Sequence, residues 1–298
     1  MARASVVEEA AWIKAANTEC QQENDQEDRI SKLPDDILIF VLDKLQPCDI
    51  ALAAVVSKRW RHLTNLRSNI FIDVAHFIEG TSVNTLEELV RTSVSAVEAV
   101  KRILPHSNQS QNTLNRLGIR FYLRDESIDI VRSVDKAMTT RKVVKAEFVI
   151  ITEISEEYNT DDDMMDNGRR LMTFVDACPR AFGGLTHLSL HSVRLGKSDF
   201  CNVLDTCKKL ECLRLNDCDA GNKSVLKIEH SQLAELSIVS SGMERAELIW
   251  LPRLTHLTCR NWLPSQDEYP LSFHHVPQLQ RLTLCTAGTT MHKTFVCK

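Results

Sequence analysis

The chain has 298 residues, 43% hydrophobic and 26% charged, with a formal charge of -4. That length is enough to bury a substantial core and to hold two domains. The near-neutral balance excludes a general polyanion binder, which needs a concentrated basic surface.

The first 28 residues are expected to be a flexible N-terminal segment. Within it, 4–16 has the pattern of a short amphipathic helix carrying Val7, Trp12 and Ile13, and 17–28 is a polar linker. Glu8, Glu9 and Lys14 interrupt its most apolar part, so no signal peptide is expected. No run of the chain approaches the roughly 18 apolar residues of a membrane span.

Residues 29–67 are dense in helix signals. Pro34 suits a first helical turn, with Asp35 and Asp36 close behind. Ile37, Leu38, Val41, Leu42 and Leu45 then recur at three- and four-residue spacing until Pro47 ends the pattern. Asp49 caps a second expected helix with Ile50, Leu52, Ala53, Val55 and Val56. Ser57 caps a third with Trp60 and Leu63. Three short helices cannot bury all these side chains among themselves, so part of the apolar surface expects a partner.

Residues 68–110 form a junction, with a strand expected over 70–74 and a helix over 85–104. From 111 to 298 the pattern Leu-x-x-Leu-x-Leu recurs, beginning at Leu114 and Leu185, then Leu210, Leu233, Leu254 and Leu279, with a degraded copy at Val143. The starts from Leu185 onward are 25, 23, 21 and 25 residues apart. This is a leucine-rich-repeat period, in which each repeat buries its apolar edge only against its neighbours. Residues 153–166 hold seven acids and no base. They are expected to form a solvated acidic loop at 153–167, because their spacing does not follow a calcium loop. Only 14 residues follow Leu284, few for a polar cap, so the array is expected to end short and marginally stable.

Leu33-Pro34, the Ile37-Leu38 pair, Leu42, Leu45 and the closing Val56-Ser-Lys-Arg-Trp60 resemble the F-box in order and spacing. Gln46 stands where that family more often has proline. The repeats resemble those of plant-type F-box/leucine-rich-repeat proteins. They depart at the turn position, where Cys218 alone matches and Val193, Ser241, Trp262 and Ala287 stand elsewhere, so those turns need another source of stability. The resemblance implies an α/β architecture: a short N-terminal three-helix F-box module, then a curved leucine-rich-repeat solenoid with irregular repeats.

It also implies a non-catalytic substrate-recognition subunit of an SCF-type cullin–RING ubiquitin ligase. Leu33, Pro34, Ile37, Leu38, Leu42, Leu45, Val56 and Trp60 would contact the adaptor and, through it, the cullin and RING subunits. The alternative is a ligase-independent interaction scaffold. Between the repeat leucines, His187, Ser189, Arg214, Asn216, Glu235, Ser237, His256, Arg260 and Arg281 fall on the concave face. They make a polar surface of mixed sign for an unknown substrate protein. No nucleic acid or membrane partner is expected. Cys201, Cys207, Cys212 and Cys218 lack zinc-site spacing, and no phosphate loop or hydrolase motif is present, so no cofactor or metal is expected. The ten cysteines of a chain with no secretory signal read as reduced thiols in the nucleus and/or cytoplasm.

Overall fold

A computed structural model describes residues 30, 32–45, 49–50, 53, 57–78, 85–104, 113–153, 159–221, 224–240, 242–261, 270–285 and 293–296. The expected N-terminal helix and linker, Val56, and the turn residues Ser241, Trp262 and Ala287 lie outside them.

Helix α1 (Asp35–Leu42) starts behind Pro34, with Asp35 and Asp36 in its first turn, where carboxylates suit the helix dipole. Helix α2 (Lys58–Asn65) is capped by Ser57, whose hydroxyl accepts the Trp60 N–H at 3.1 Å. Leu38, Leu42 and Leu63 form a small core between them. The expected middle helix is visible only as helical backbone at Asp49, Ile50 and Ala53, so two helices rather than three are described here.

The remainder is α/β. Strand β1 (Asn69–Asp73) is followed by a 3₁₀ turn at Val74–Phe77 and helix α3 (Leu86–Ile103). A capping box starts α3: Thr85 accepts the Glu88 N–H and Glu88 accepts the Thr85 N–H, both at 3.2 Å. Its buried side is Ala96, Val97 and Val100, while Leu86, Val90 and Val94 are exposed. Then follow β2 (Thr113–Tyr122), α4 (Ile128–Thr140), β3 (Lys142–Ile151), α5 (Asp161–Ala177), α6 (Pro179–Gly183), β4 (His187–His191) and α7 (Lys197–Thr206). Beyond α7 the chain is all strand: β5 (Cys212–Asn216), β6 (Val225–Glu229), β7 (Glu235–Val239), β8 (Arg245–Trp250), β9 (His256–Arg260), β10 (Leu271–His275), β11 (Arg281–Cys285) and β12 (Lys293–Val296).

Nine strands form one sheet in the order β1-β2-β3-β4-β5-β7-β9-β11-β12, parallel throughout except for the antiparallel β12. The stretch 68–110 contributes its first strand, and the degraded repeat at Val143 is a full ten-residue member. The register places Phe148, Leu188, Leu213, Leu236, Leu257 and Leu282 in one row. Ile150, Leu190, Leu215, Ile238, Cys259 and Leu284 form the next. These rows carry the main core, against helices as far as α7 and then against a second parallel sheet, β10-β8-β6. Leu226 and Ile228, then Ala246 and Leu248, are its buried residues.

One expectation changes here. The acidic stretch is not a loop over its whole length, since residues 161–167 open α5. Thr160 accepts the Asp163 N–H at 3.2 Å and Asp163 accepts the Thr160 N–H at 3.0 Å, while Asp161 to Asp163 occupy the first turn, where acids stabilise a helix. The turns after the strands have a common device in place of the missing turn residue. Ser192, Asp217, Ser240 and Asn261 each hold φ of 51–53°, at the same position of successive repeats. Each N–H donates to the carbonyl that ends the next strand, of Asn216, Val239, Arg260 and Cys285, at 2.9 Å. Cys218 alone adds a thiol, near the carbonyls of Leu190 and Asn216 at 3.5 and 3.3 Å.

Candidate functional site

The period of two in each strand turns every second side chain to the face away from the core. Along that open face one row runs Glu147, His187, Cys212, Glu235, His256 and Arg281. The next runs Val149, Ser189, Arg214, Ser237, Thr258 and Thr283, and the third His191, Asn216, Val239, Arg260 and Cys285. All nine residues expected on this face therefore share it.

They do not share one role. Thr186 Oγ1 donates to the Ala146 carbonyl at 3.0 Å and lies 2.9 Å from His187 Nδ1. Thr255 repeats both contacts, with Ala234 and His256, at 3.0 and 2.9 Å. In both Leu-Thr-His-Leu copies the histidine Nδ1 is thus engaged by the preceding threonine at the start of the strand. Ser189 is only 7% exposed, so its expected place on a free surface is corrected: it is covered by His191, whose Nε2 lies 3.4 Å from its hydroxyl and 3.1 Å from Asn216 Nδ2. Burial, then the charge of Arg120, holds the His191 imidazole below its ordinary value.

The open groups converge further along. Arg214, Glu235, Ser237, His256 and Arg260, with Cys212, Val239 and Thr258, line one hollow of about 270 Å³ across β5, β7 and β9. Its chemistry is hydrogen bonding and charge pairing. Cys212 is no nucleophile there, because burial, relieved only in part by Arg214, pushes its thiol up to about 11. Cys207, Cys218 and Cys259 are pushed up to about 12 by burial. Among the described residues no group of three or more His, Cys, Asp or Glu is placed to hold a metal.

A larger cleft of about 350 Å³ opens at the ends of β2 and β3, lined by Leu86, Arg124, Glu126, Glu153, Asp166 and Arg170 among others. Its cations are spent on its own acids: Arg124 pairs with Glu126 and Glu153, and Arg170 with Asp125 at 2.7 Å. The arginines of the smaller hollow form no such pairs among the described residues.

The second candidate surface is on α1. Pro34, Ile37 and Phe40 are exposed, Phe40 to 62%, and Ile30 lies exposed just ahead of them. Lys44 sits 5.2 Å from the centre of the Phe40 ring. Leu33, Leu45 and Trp60 are half-buried against the small core. Leu38 and Leu42 have no exposed surface, which corrects their expected contact with a partner: α2 covers them through Leu63. Phe40 is absent from the residues expected to meet the adaptor, yet its spacing of three from Ile37 sets it on the same exposed face. Arg59 fixes α2 on the start of α1, donating to Asp35 at 2.6 Å and to the Leu33 carbonyl at 2.7 Å.

Comparison with known proteins bears on both surfaces. The F-box domain model matches residues 30–71, and the model for the leucine-rich repeats of FBD-associated F-box protein At5g56370 matches 169–296. The Arabidopsis thaliana putative FBD-associated F-box protein At5g56390 is 25% identical over 229 residues, 74% of this chain and 50% of the relative. F-box/FBD/LRR-repeat protein At5g56420 of the same plant is 22% identical over 249 residues, 79% of this chain and 56% of the relative. A short stretch of 60 residues is 42% identical to its F-box protein At1g80960, covering 20% of this chain and 12% of that one. The chain thus spans about half the length of the longer-matching relatives.

Proposed function

We propose that this chain, which those matches support as a member of the plant F-box/leucine-rich-repeat family, is the substrate-recognition subunit of an SCF-type cullin–RING ubiquitin ligase. The exposed Pro34–Ile37–Phe40 face binds the adaptor, which brings the cullin and RING subunits. The open face of the large sheet binds the target protein. The chain itself carries out no chemistry; it raises the local concentration of the target beside a reaction done elsewhere. Its place of action is the nucleus, the cytoplasm or both.

The observation that carries this reading is the division of labour in α1. One side, Leu38 and Leu42, completes the module's own core, and the other leaves Ile37 and Phe40 in water. A large apolar side chain is worth about 1.5–3 kcal/mol when fully buried, so this face gains on docking what folding leaves unused. The curved solenoid belongs to the same proposal. Helices pack about 8–10 Å apart and strands about 4.8 Å, so a strand layer backed by helices bends around its open face, and one backed by β6, β8 and β10 bends less.

The test is recovery of the SCF adaptor on the tagged full chain, against a variant with Ile37→Asp and Phe40→Asp. Both positions are exposed, so the melting curve should hold while adaptor recovery falls at least about tenfold. Equal recovery by both proteins would mean that the docking face is misassigned. No recovery by the unaltered chain would favour the ligase-independent scaffold.

A further inference from the structure

The open face has a mixed composition, but its free charges are not mixed evenly. Arg116 is paired with Glu147 at 2.8 Å, and Arg120 with Asp73 at 3.6 Å. Arg214 and Arg260 are exposed and form no ion pair among the described residues, yet both line the hollow over β5, β7 and β9. Arg214 is level with Ser237 and Thr258, and Arg260 stands two residues beyond Thr258 on the same face. From strand spacing and rise their Cα atoms are about 12 Å apart, a span that two long side chains leaning inward close on one group. Between them lie the hydroxyls of Ser237 and Thr258, donors for the same group. Glu235 occupies the other end of the hollow, level with His256, two residues before Ser237. The hollow is therefore polarised, acidic toward the strand starts and basic toward the strand ends.

Two guanidinium groups with hydroxyls between them match a group that only accepts hydrogen bonds and carries negative charge. We propose that the Arg214–Arg260 hollow holds an anionic side chain of the target, an acidic or phosphorylated residue shown on an extended segment. This rests on the receptor reading above and supplies the chemical class of its target. Glu235 adds direction, since the segment that seats an anion on the arginines meets a carboxylate one step earlier along the strands. A protein segment fits this face better than a nucleic acid. No Phe, Tyr or Trp ring lines the hollow to stack a base, the one imidazole, His256, is engaged at Nδ1 by Thr255, and the lining holds no basic residue besides the two arginines and that histidine.

The experiment uses the full chain on immobilised degenerate peptides, identical except for a fixed central phosphoserine, glutamate, serine or lysine. Unaltered protein should be retained on the glutamate or phosphoserine peptides at least about tenfold over serine and lysine. Retention on phosphoserine alone assigns the hollow to a dianion; retention on both shows that a carboxylate suffices. The preference should vanish in the variant with Arg214→Ala and Arg260→Ala, whose melt should match the unaltered protein, and persist in Lys208→Ala, an exposed lysine in the turn between α7 and β5 that does not line the hollow. Equal retention on all four peptides, or a preference that survives loss of both arginines, would overturn the proposal. So would binding of poly-uridylate that depends on those arginines where no peptide is retained. Adaptor recovery from the same preparations separates the two claims. Anion selection without adaptor sinks the ligase reading alone, and adaptor without anion selection sinks the hollow alone.

Discussion

Replacement of Arg194 by Met should be among the most damaging single changes outside the leucine rows. Arg194 follows β4 and pairs through its backbone with Asp219. Its guanidinium meets the same residue with both nitrogens, Nε to Oδ1 at 2.6 Å and Nη2 to Oδ2 at 2.9 Å. Both side chains are largely buried, Arg194 being 14% exposed and Asp219 6%. Methionine keeps much of the stem's volume and removes the cation, leaving a carboxylate inside the protein with one remaining donor, the Gly221 N–H at 2.9 Å. Breaking a buried pair from one side costs about 3–5 kcal/mol, and the surviving Gly221 bond sets the expected loss near the lower figure. The further contact with Asp161 at 3.1 Å adds little, because that carboxylate is mostly in water. Urea unfolding followed by far-ultraviolet circular dichroism gives the change as a shift in midpoint at constant slope. Adding Asp219→Asn removes the stranded charge, so the double variant should be less damaged than the sum of the singles by more than about 1 kcal/mol. A single variant within about 0.5 kcal/mol of the parent, or strictly additive singles, would refute the account of Asp219 as a buried partner.

Gly168→Ala should destabilise although alanine is the better helix former: its Cβ would stand 1.9 Å from the Arg194 carbonyl oxygen, so α5 has to move, a penalty of about 1–3 kcal/mol in a thermal melt. A variant as stable as the parent would show that α5 does not lie on that turn. Leu236→Ala, in the middle of a core row and 2% exposed, should cost about 2–5 kcal/mol, while Arg214→Ala beside the same row should leave the melt unchanged. The reverse would put the strand register out by one residue. Acid should weaken the fold. Burial holds His230 below its ordinary value of 6.5, the carbonyl of Cys207 opposing, and His191 is lowered likewise. The unfolded chain then takes up protons first, so stability is full above about 6.5 and declines as pH falls from there toward the lower folded values. Melting temperatures between pH 7.5 and 5.5 should show this slope, and His230→Gln should reduce it; a flat profile would remove the buried imidazoles from the account.

What could be read in the sequence follows the reach of each signal. Strands β4, β5, β7, β9 and β11 were legible because one leucine row needs only local period-two alternation. Val143 looked degraded because the core positions of its strand are filled by Ala146, Phe148 and Ile150, which are not leucines. The acidic helix start was obscured by composition, although Thr160 with Asp163 three residues on is a capping signal and Met164, Leu171, Phe174 and Val175 follow at helical spacing. The second sheet was written in Leu226-x-Ile228 and Ala246-x-Leu248 and lay unread between stronger repeats. For α1 the sequence shows two apolar sides, Ile37 with Phe40 and Leu38 with Leu42. The side that faces inward depends on Leu63, a residue of another helix, and no local pattern carries that information. The hollow is non-local in the same way: Arg214 and Arg260 are 46 positions apart in the chain and meet only through the register of three strands.

On the receptor reading the two surfaces must also hold a fixed relation, because positioning fails if the recognition end swings freely about the docking end. Asp43, just past α1, provides the connection. Its carboxylate accepts from Arg67 Nε at 2.8 Å and from Asn69 Nδ2 at 3.1 Å. Arg67 is 7% exposed and lies two residues before Asn69, the first residue of β1. Strand β1 is hydrogen-bonded to β2, and the parallel ladder continues strand by strand to β5, β7 and β9 under the hollow. Helix α1 is thus tied through one carboxylate to the first rung of a continuous backbone network that passes under Arg214 and Arg260. Arg67 is buried and Asp43 is 17% exposed, so this pair resists bending more than a fully exposed ion pair does, while the Asn69 bond lies in water and adds little. The same bond explains why the chain between the two halves can be as short as Leu66 to Ser68: the side chains, rather than a long linker, set the angle between the docking helix and the sheet.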